Sequence, residues 1–397
     1  MSSDRQNHDI IGRIDATRLA DALWRLVRIP SPTGSERGAA YEYGEMLREV
    51  GMSVEVLEDI PDSPSVVGRM SGSRPGKTLQ LAGHLDHIDV THPEPSRNDK
   101  RITGRGSADM KCGLAGAVEI ARVLAADEAQ FAGDLLVTAY GLHEAPTGHA
   151  EGIASLIKKK IVGDAAIVLE GPKDQVIIKG KGQSIWNIGI SRSGDACHEL
   201  RRDPLADGLL ASVQSVLGAL WEKKTALSAD ENGDELLGTE TLFVGQVHYG
   251  DFYNRAPKHA TLQGTWRWLP ERSFADVQRD LKDLLSSPDI AKGVGEADLR
   301  IEDSWVFVGD SYSISTDEPV VRSIRNASRE MLDDELELAG SSAINDASKL
   351  VPWGGIPTVP LGIGGTGAHA DFEYVDLDEL VRGCGLVLRA ALNFFGE

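Results

Sequence analysis

Apolar residues recur at helical spacing over ATRLADALWRLVRI and again over ERGAAYEYGEMLREVG, with a Pro-Ser-Pro turn between them and Gly51 behind the second run. The pattern then shifts. Ser53–Leu57 and Thr78–Leu81 read as strands, the latter running straight into GHLDHIDV. Residues 110–126 return to a helical period, with Leu114, Val118, Ala121 and Val123 among the apolar positions. Asp134–Tyr140 and Ala165–Leu169 read as strands separated by a helical stretch at 151–160. Strands alternating with helices predict an α/β fold with parallel strands in a mixed sheet.

Near Gly180 the organisation changes. Residues 183–192, 241–248, 260–268 and 298–308 read as strands, with amphipathic helices at about 204–222 and 273–286 between them. Four strands and two helices in this order predict a small α+β, ferredoxin-like insert. Beyond it, 318–332 reads as a helix, GGIPTVPLGIGG as a buried strand and loop, and 376–395 as a closing helix. Residues 1–181 and 303–397 are thus expected to form the two parts of one domain and 182–302 a second. A length of 397 residues agrees with two cores.

Charge and cysteine usage narrow the partners. With 61 acidic against 41 basic residues the net charge is -20, a surface that repels phosphate backbones, so nucleic acid is not an expected partner. No apolar run approaches the roughly 18 residues of a membrane span. Cys112, Cys197 and Cys384 lie far apart, with no CxxC pair, which points away from a zinc ribbon or a disulfide framework. The polar start MSSDRQNHDIIGRID has no signal-like apolar core. A cytoplasmic protein is expected.

The candidate chemistry gathers at the ends of the predicted strands. His84 and Asp86 end one, in GHLDH; Asp109 follows in GRGSADMKCG; His143 and Glu144 stand in GLHEAPTG, Glu170 in VLEGP and His369 in GTGAHADFEYV. Ligands of open α/β sheets bind beyond the carboxyl ends of strands, so residues this scattered could still converge. Imidazole and carboxylate suit Zn, Mn or Co. Each residue alone has an ordinary reading: a strand-end histidine is usually structural, and an aspartate before a helix is usually an N-cap. Their order and spacing together raise the expectation of a metal site.

That order resembles the M20 metallopeptidase family, which includes aminoacylases, acetylornithine and succinyl-diaminopimelate deacylases, and glutamate carboxypeptidases. The resemblance runs over nearly the whole chain. Gly83–Val90 matches the family's GHxDxV motif, Gly104–Lys111 its GRGxxDMK motif, Leu169–Pro172 its GEP-like segment, and His369 with Glu373-Tyr374 its final histidine motif. NDASKL at 345–350 followed by GIPTVPLGIGG resembles its GxDA…GIP stretch. The resemblance implies that Asp109 bridges two cations, with His84 and Glu170 completing one site and His369 with a glutamate the other. Asp86 would hold the His84 ring in its tautomer. In the insert, which implies a lid and a homo-oligomer contact, His198, Asn254 and Arg267 match substrate-binding positions, the histidine acting across subunits.

One motif departs from the family. Where two adjacent glutamates normally act as general base and metal ligand, this chain has His143-Glu144-Ala145. In one register, favoured by the length of chain from Asp109, Glu144 is the ligand and His143 occupies the base position. In the other Glu144 is the base, and one cation site loses a ligand to Ala145. The leading expectation is therefore a metal-dependent amidohydrolase or aminohydrolase with one or two divalent cations, acting on a small carboxylate-bearing substrate. Water activated by the cations would attack, His143 or Glu144 would move the proton, and Gly364 and Gly365 would offer backbone N–H groups to the substrate. An atypical branch of the superfamily removes an aromatic amine, as a nitroanthranilate aminohydrolase does, and the aromatics Trp186, Phe243, Tyr249, Phe252, Tyr253, Trp266 and Trp268 of the insert keep that alternative open, although they could equally pack its core. A non-catalytic binding module is the alternative from another class.

Overall fold

The computed structural model describes residues 11–126, 131–201, 204–287, 290, 299–332 and 334–396. The polar start up to residue 10, and residue 298 at the head of an expected strand, lie outside them. The chain divides into two compact units: Met1–Ile178 with Ser313–Ala339 and Asn345–Glu397, and Lys179–Tyr312 with Gly340–Ile344.

The first unit opens with helices α1 (Ala16–Val27) and α2 (Arg37–Glu49). Asp15 caps α1 by accepting the Arg18 N–H at 2.9 Å, and Leu19, Leu23, Leu26 and Val27 form its buried stripe. At the other end the buried Lys111 amine donates to the carbonyls of Leu26 at 3.1 Å and Ile29 at 2.9 Å, adding a side-chain donor to the last turn of the helix. Next come β1 (Ser53–Leu57), β2 (Ser65–Ser71), β3 (Arg74–His84), α3 (Cys112–Ala126), β4 (Ala132–Tyr140), α4 (Glu151–Lys158) and β5 (Ala165–Val168). In the sheet, β3 lies between β4 and β5, parallel to both. β1 and β2 extend it antiparallel beyond β4. The sheet is therefore mixed, as expected: the connection from β1 to β2 is too short for a parallel crossover.

In the second unit, β6 (Gly182–Arg192), α5 (Pro204–Ser228), β7 (Thr241–Tyr249), β8 (His259–Trp268), α6 (Phe274–Leu285) and β9 (Leu299–Gly309) make a βαββαβ unit. Its antiparallel sheet runs β7-β8-β6-β9, the ferredoxin-like arrangement. Period-two alternation buries Trp186, Ile188 and Ile190 of β6 and Leu262, Trp266 and Trp268 of β8 with Val213, Val216 and Leu220 of α5 and Val277 and Leu281 of α6. The three tryptophans thus belong to this core. Truncation of Leu262 to Ala should destabilise the unit by about 2–5 kcal/mol, read as an earlier transition in denaturant melts of the intact chain.

The chain then completes the first unit with α7 (Pro319–Leu332), the short strand β10 (Thr358–Pro360), parallel to β5, and α8 (Leu377–Phe395). No helix among the described residues is long and apolar enough to cross a membrane.

Candidate metal centre and active site

The carboxyl ends of three neighbouring strands, β3, β4 and β5, deliver His84, the loop Gly141–Glu144 and Glu170 to one place. Asp109 arrives from the turn before α3. Gly106 in that turn has φ +76°, a left-handed conformation that glycine adopts without strain. Gly113 lets α3 start against the end of β5, since a Cβ there would lie 2.4 Å from the Leu169 carbonyl oxygen.

His84, fully buried, is the centre of the cluster. Its Nε2 lies 3.1 Å from Asp109 Oδ1 and 3.4 Å from Glu170 Oε2. The other Asp109 oxygen, Oδ2, is 3.4 Å from His369 Nε2, which is 2.9 Å from Glu144 Oε1. Asp109 therefore faces both imidazoles, one oxygen to each. Burial alone would raise the Asp109 carboxyl, but His369 and His84 outweigh it and hold the group well below the carboxylate range. His369 is lifted to about 9, chiefly by its hydrogen bond to Asp109, with burial opposing and Glu144 adding to the rise.

Asp86 holds this arrangement from beneath. Its Oδ2 accepts the N–H groups of His143 at 3.0 Å and Glu144 at 2.8 Å, and the Thr33 hydroxyl at 3.1 Å. His84 Nδ1 lies 3.0 Å from the Asp86 main-chain oxygen and 3.5 Å from Asp86 Oδ1. Buried Glu36, which the sequence pattern did not single out, accepts the Leu142 N–H at 2.9 Å. Three successive N–H groups of the loop carrying His143 and Glu144 are thus fixed by two buried carboxylates.

His143 stacks on His84, with ring centroids 4.1 Å apart and planes within 2°. Its Nδ1 is 3.2 Å from Asp346 Oδ1, and Asp346 Oδ2 accepts the Tyr140 hydroxyl at 2.7 Å. Burial pulls the His143 imidazole down, but Asp346 chiefly, and Glu170, outweigh both that and the neighbouring His84, leaving it at about 9.

Glu373, 1% exposed, organises the Asp109 turn. Its carboxylate accepts the N–H groups of Gly106 at 3.0 Å, Ala108 at 2.8 Å and Asp109 at 3.0 Å, and pairs with Arg105 at 3.2 Å. Replacing Glu373 with Ala orphans those donors and leaves Arg105 without its buried partner. The expected cost is about 3–5 kcal/mol, read as a lower melting temperature together with weaker cation binding in a titration.

The donor set fits a divalent metal. Two trios among the described residues, His84–Asp109–Glu144 and His84–His143–Glu170, offer ligand atoms within 4.8 Å of one another. Glu170 Oε1 is buried with no hydrogen-bond partner, an uncompensated acceptor of the kind a cation satisfies. Nitrogen and oxygen donors are those that Zn, Mn and Co accept.

The remaining expected site residues are distributed unevenly. Gly364 and Gly365 lie in the first unit, but the Gly365 N–H already donates to Glu379 Oε2 at 3.3 Å, so it is not a free donor for substrate. In the second unit Asn254 Nδ2 lies 3.3 Å from His198 Nε2, while an Arg267 guanidinium nitrogen donates to the Ser342 carbonyl.

Imidazoles and carboxylates gathered around Asp109 at the carboxyl ends of strands are the kind of site a metal-dependent hydrolase uses. Residues 81–393 match the peptidase family M20/M25/M40, and the chain belongs to that family. It acts on carbon–nitrogen bonds. It is 26% identical over 369 residues, 92% of this chain and 95% of the other, to a protein of Mycobacterium tuberculosis described as a putative succinyl-diaminopimelate desuccinylase. A tripeptidase from Staphylococcus aureus shares the fold with a TM-score of 0.77 and 20% identity, over 97% of this chain and 100% of that one. The aminopeptidase PepT from Bacillus cereus does so with a TM-score of 0.76 and 19% identity, over 97% and 100%.

Proposed function

We propose that the protein hydrolyses an amide bond of a small carboxylate-bearing substrate, such as an N-acyl amino acid or a dipeptide, with His143 carrying the proton. The observation that carries this reading is the 2.9 Å approach of Glu144 to His369 beside Asp109. It supports the register in which Glu144 is a metal ligand and His143 stands where the family has its general base. His84, Asp109 and Glu170 would hold one cation; Asp109, Glu144 and His369 would hold a second. Divalent cations held there would acidify water, by as much as from 15.7 to about 7, and would polarise a carbonyl.

The chain's own groups do the rest. In its neutral form, which two cations held beside it would favour over the imidazolium of the metal-free site, His143 takes one proton from the attacking water as oxygen bonds to the carbonyl carbon. It returns that proton to the departing nitrogen as the C–N bond breaks, leaving a carboxylic acid and an amine. Asp86 keeps the His143–Glu144 loop in place. His198, Asn254 and Arg267 would bind the substrate's charge, as would the Gly364 N–H. The exposed Phe243, Val247 and Tyr249 of β7, at the edge of its sheet, support a homo-oligomer formed through the second unit. Three free thiols support a reducing compartment such as the cytoplasm.

The test is a turnover screen of N-acyl amino acids, dipeptides and aromatic amines, each with Zn, Mn and Co. Hydrolysis of amides, with aromatic amines inert, is the expected result. The opposite preference would replace amide hydrolysis with amine removal.

A further inference from the structure

We propose that Asp346 is the positioning residue of an Asp346–His143 pair, its buried carboxylate fixing the imidazole with Nδ1–H toward Asp346 and leaving Nε2 as the nitrogen available to the reaction. The proposal rests on the reading of His143 as the proton carrier.

Four observations carry it. Asp346 is fully buried and 3.2 Å from His143 Nδ1. Its other oxygen is occupied by the fully buried Tyr140 hydroxyl at 2.7 Å, so the carboxylate cannot turn away from the ring without breaking that bond. Asp346 also stands at the start of the short helix Ala347–Leu350, where an aspartate ordinarily caps, yet its side chain makes no capping bond. Asn345 Oδ1 takes the Ala347 N–H instead, at 3.0 Å. The carboxylate has been diverted from helix capping to the histidine. Finally, Asp346 is held well below the usual carboxylate range: burial opposes ionisation, but His143 and then Lys349 outweigh it. An ionised carboxylate only accepts hydrogen bonds, so the nitrogen facing it must carry the hydrogen. In the neutral ring Nε2 is then the base. When Nε2 takes a proton, the positive ring faces a fixed negative charge, and the proton on Nδ1 stays where it is.

The full-length protein tests this in two ways. In metal-free protein labelled with ¹⁵N-histidine and held above about pH 10, where an imidazole that titrates at about 9 is neutral, the His143 resonances should report hydrogen on Nδ1, and Asp346→Asn should abolish that preference. With an amide substrate turned over in the screen above, Asp346→Asn should lower kcat by about 10²–10⁴-fold. KM should change less than about threefold, and metal content should stay at the wild-type value. Asp346→Glu should recover part of the loss. If Asp346→Asn does not fold, Tyr140→Phe replaces it. Loss of that one hydrogen bond should lower kcat by about 5–10-fold at constant KM.

The double variant His143→Ala/Asp346→Asn should be no slower than His143→Ala alone. Multiplying losses, an unshifted tautomer, or a fall in metal content matching the fall in kcat would overturn the pairing. Wild-type turnover by His143→Ala is a different failure: it removes His143 as proton carrier, even where the tautomer result stands.

Discussion

Glu144→Ala is expected to purify with less bound metal than the wild type and to lose nearly all turnover at ordinary metal concentrations. The side chain meets His369 at 2.9 Å beside Asp109, and no other carboxylate of its loop is available, since the next residue is Ala145. Loss of a partner one step removed from a metal ligand costs about 10–100-fold in affinity, and loss of the ligand itself should exceed that. Metal analysis and a titration with Zn or Mn provide the measurement. If metal content is unchanged while turnover collapses, Glu144 is the base, and the register with Ala145 at the ligand position is correct.

His143→Ala is expected to give the complementary result: full metal content, with turnover lower by about 10²–10⁴-fold. The ring lies against His84 at 4.1 Å and is tied to Asp346, while His84, Asp109, Glu144, Glu170 and His369 keep their own approaches to one another. Loss of metal together with turnover would instead make His143 a ligand, as its grouping with His84 and Glu170 allows.

Much of this site is legible in the sequence because metal chemistry draws on few residue types, and the sheet tells where they gather. His84, the His143–Glu144 pair and Glu170 each follow a readable apolar strand, so their convergence follows from strand order. The register of His143-Glu144 is harder to read. It depends on which side chain of a short loop turns toward Asp109, and periodicity carries no such information. Asp346 stands in the recognisable NDASKL stretch, but its pairing with His143, 203 residues away, is beyond local reading, and an aspartate before a helix looks like a cap. The strand β2 is not legible because its buried part, SVVG, is a short run without alternation that ends in a glycine. The insert was easier, since its two-residue alternation is long and regular in β6 and β8.

The position of the insert has a consequence for synthesis. Asp109, Glu144 and Glu170 precede the second unit, whereas Asp346, His369 and Glu373 follow it. On the ribosome the first carboxylates emerge long before the groups that balance and fix them. From Asp109 to His369 the chain grows by 260 residues (369 − 109), roughly 10–50 s at about 5–20 residues per second. Throughout that interval the nascent chain has neither the Glu373 brace on its Asp109 turn nor the His369 imidazole. Most of the second unit, Lys179–Tyr312, is contiguous and can meanwhile fold, with only Gly340–Ile344 joining it later. Metal capture with the full ligand set therefore falls at the end of translation, and a ribosome stalled between the second unit and His369 would release a chain with a folded second unit and an unfinished active site.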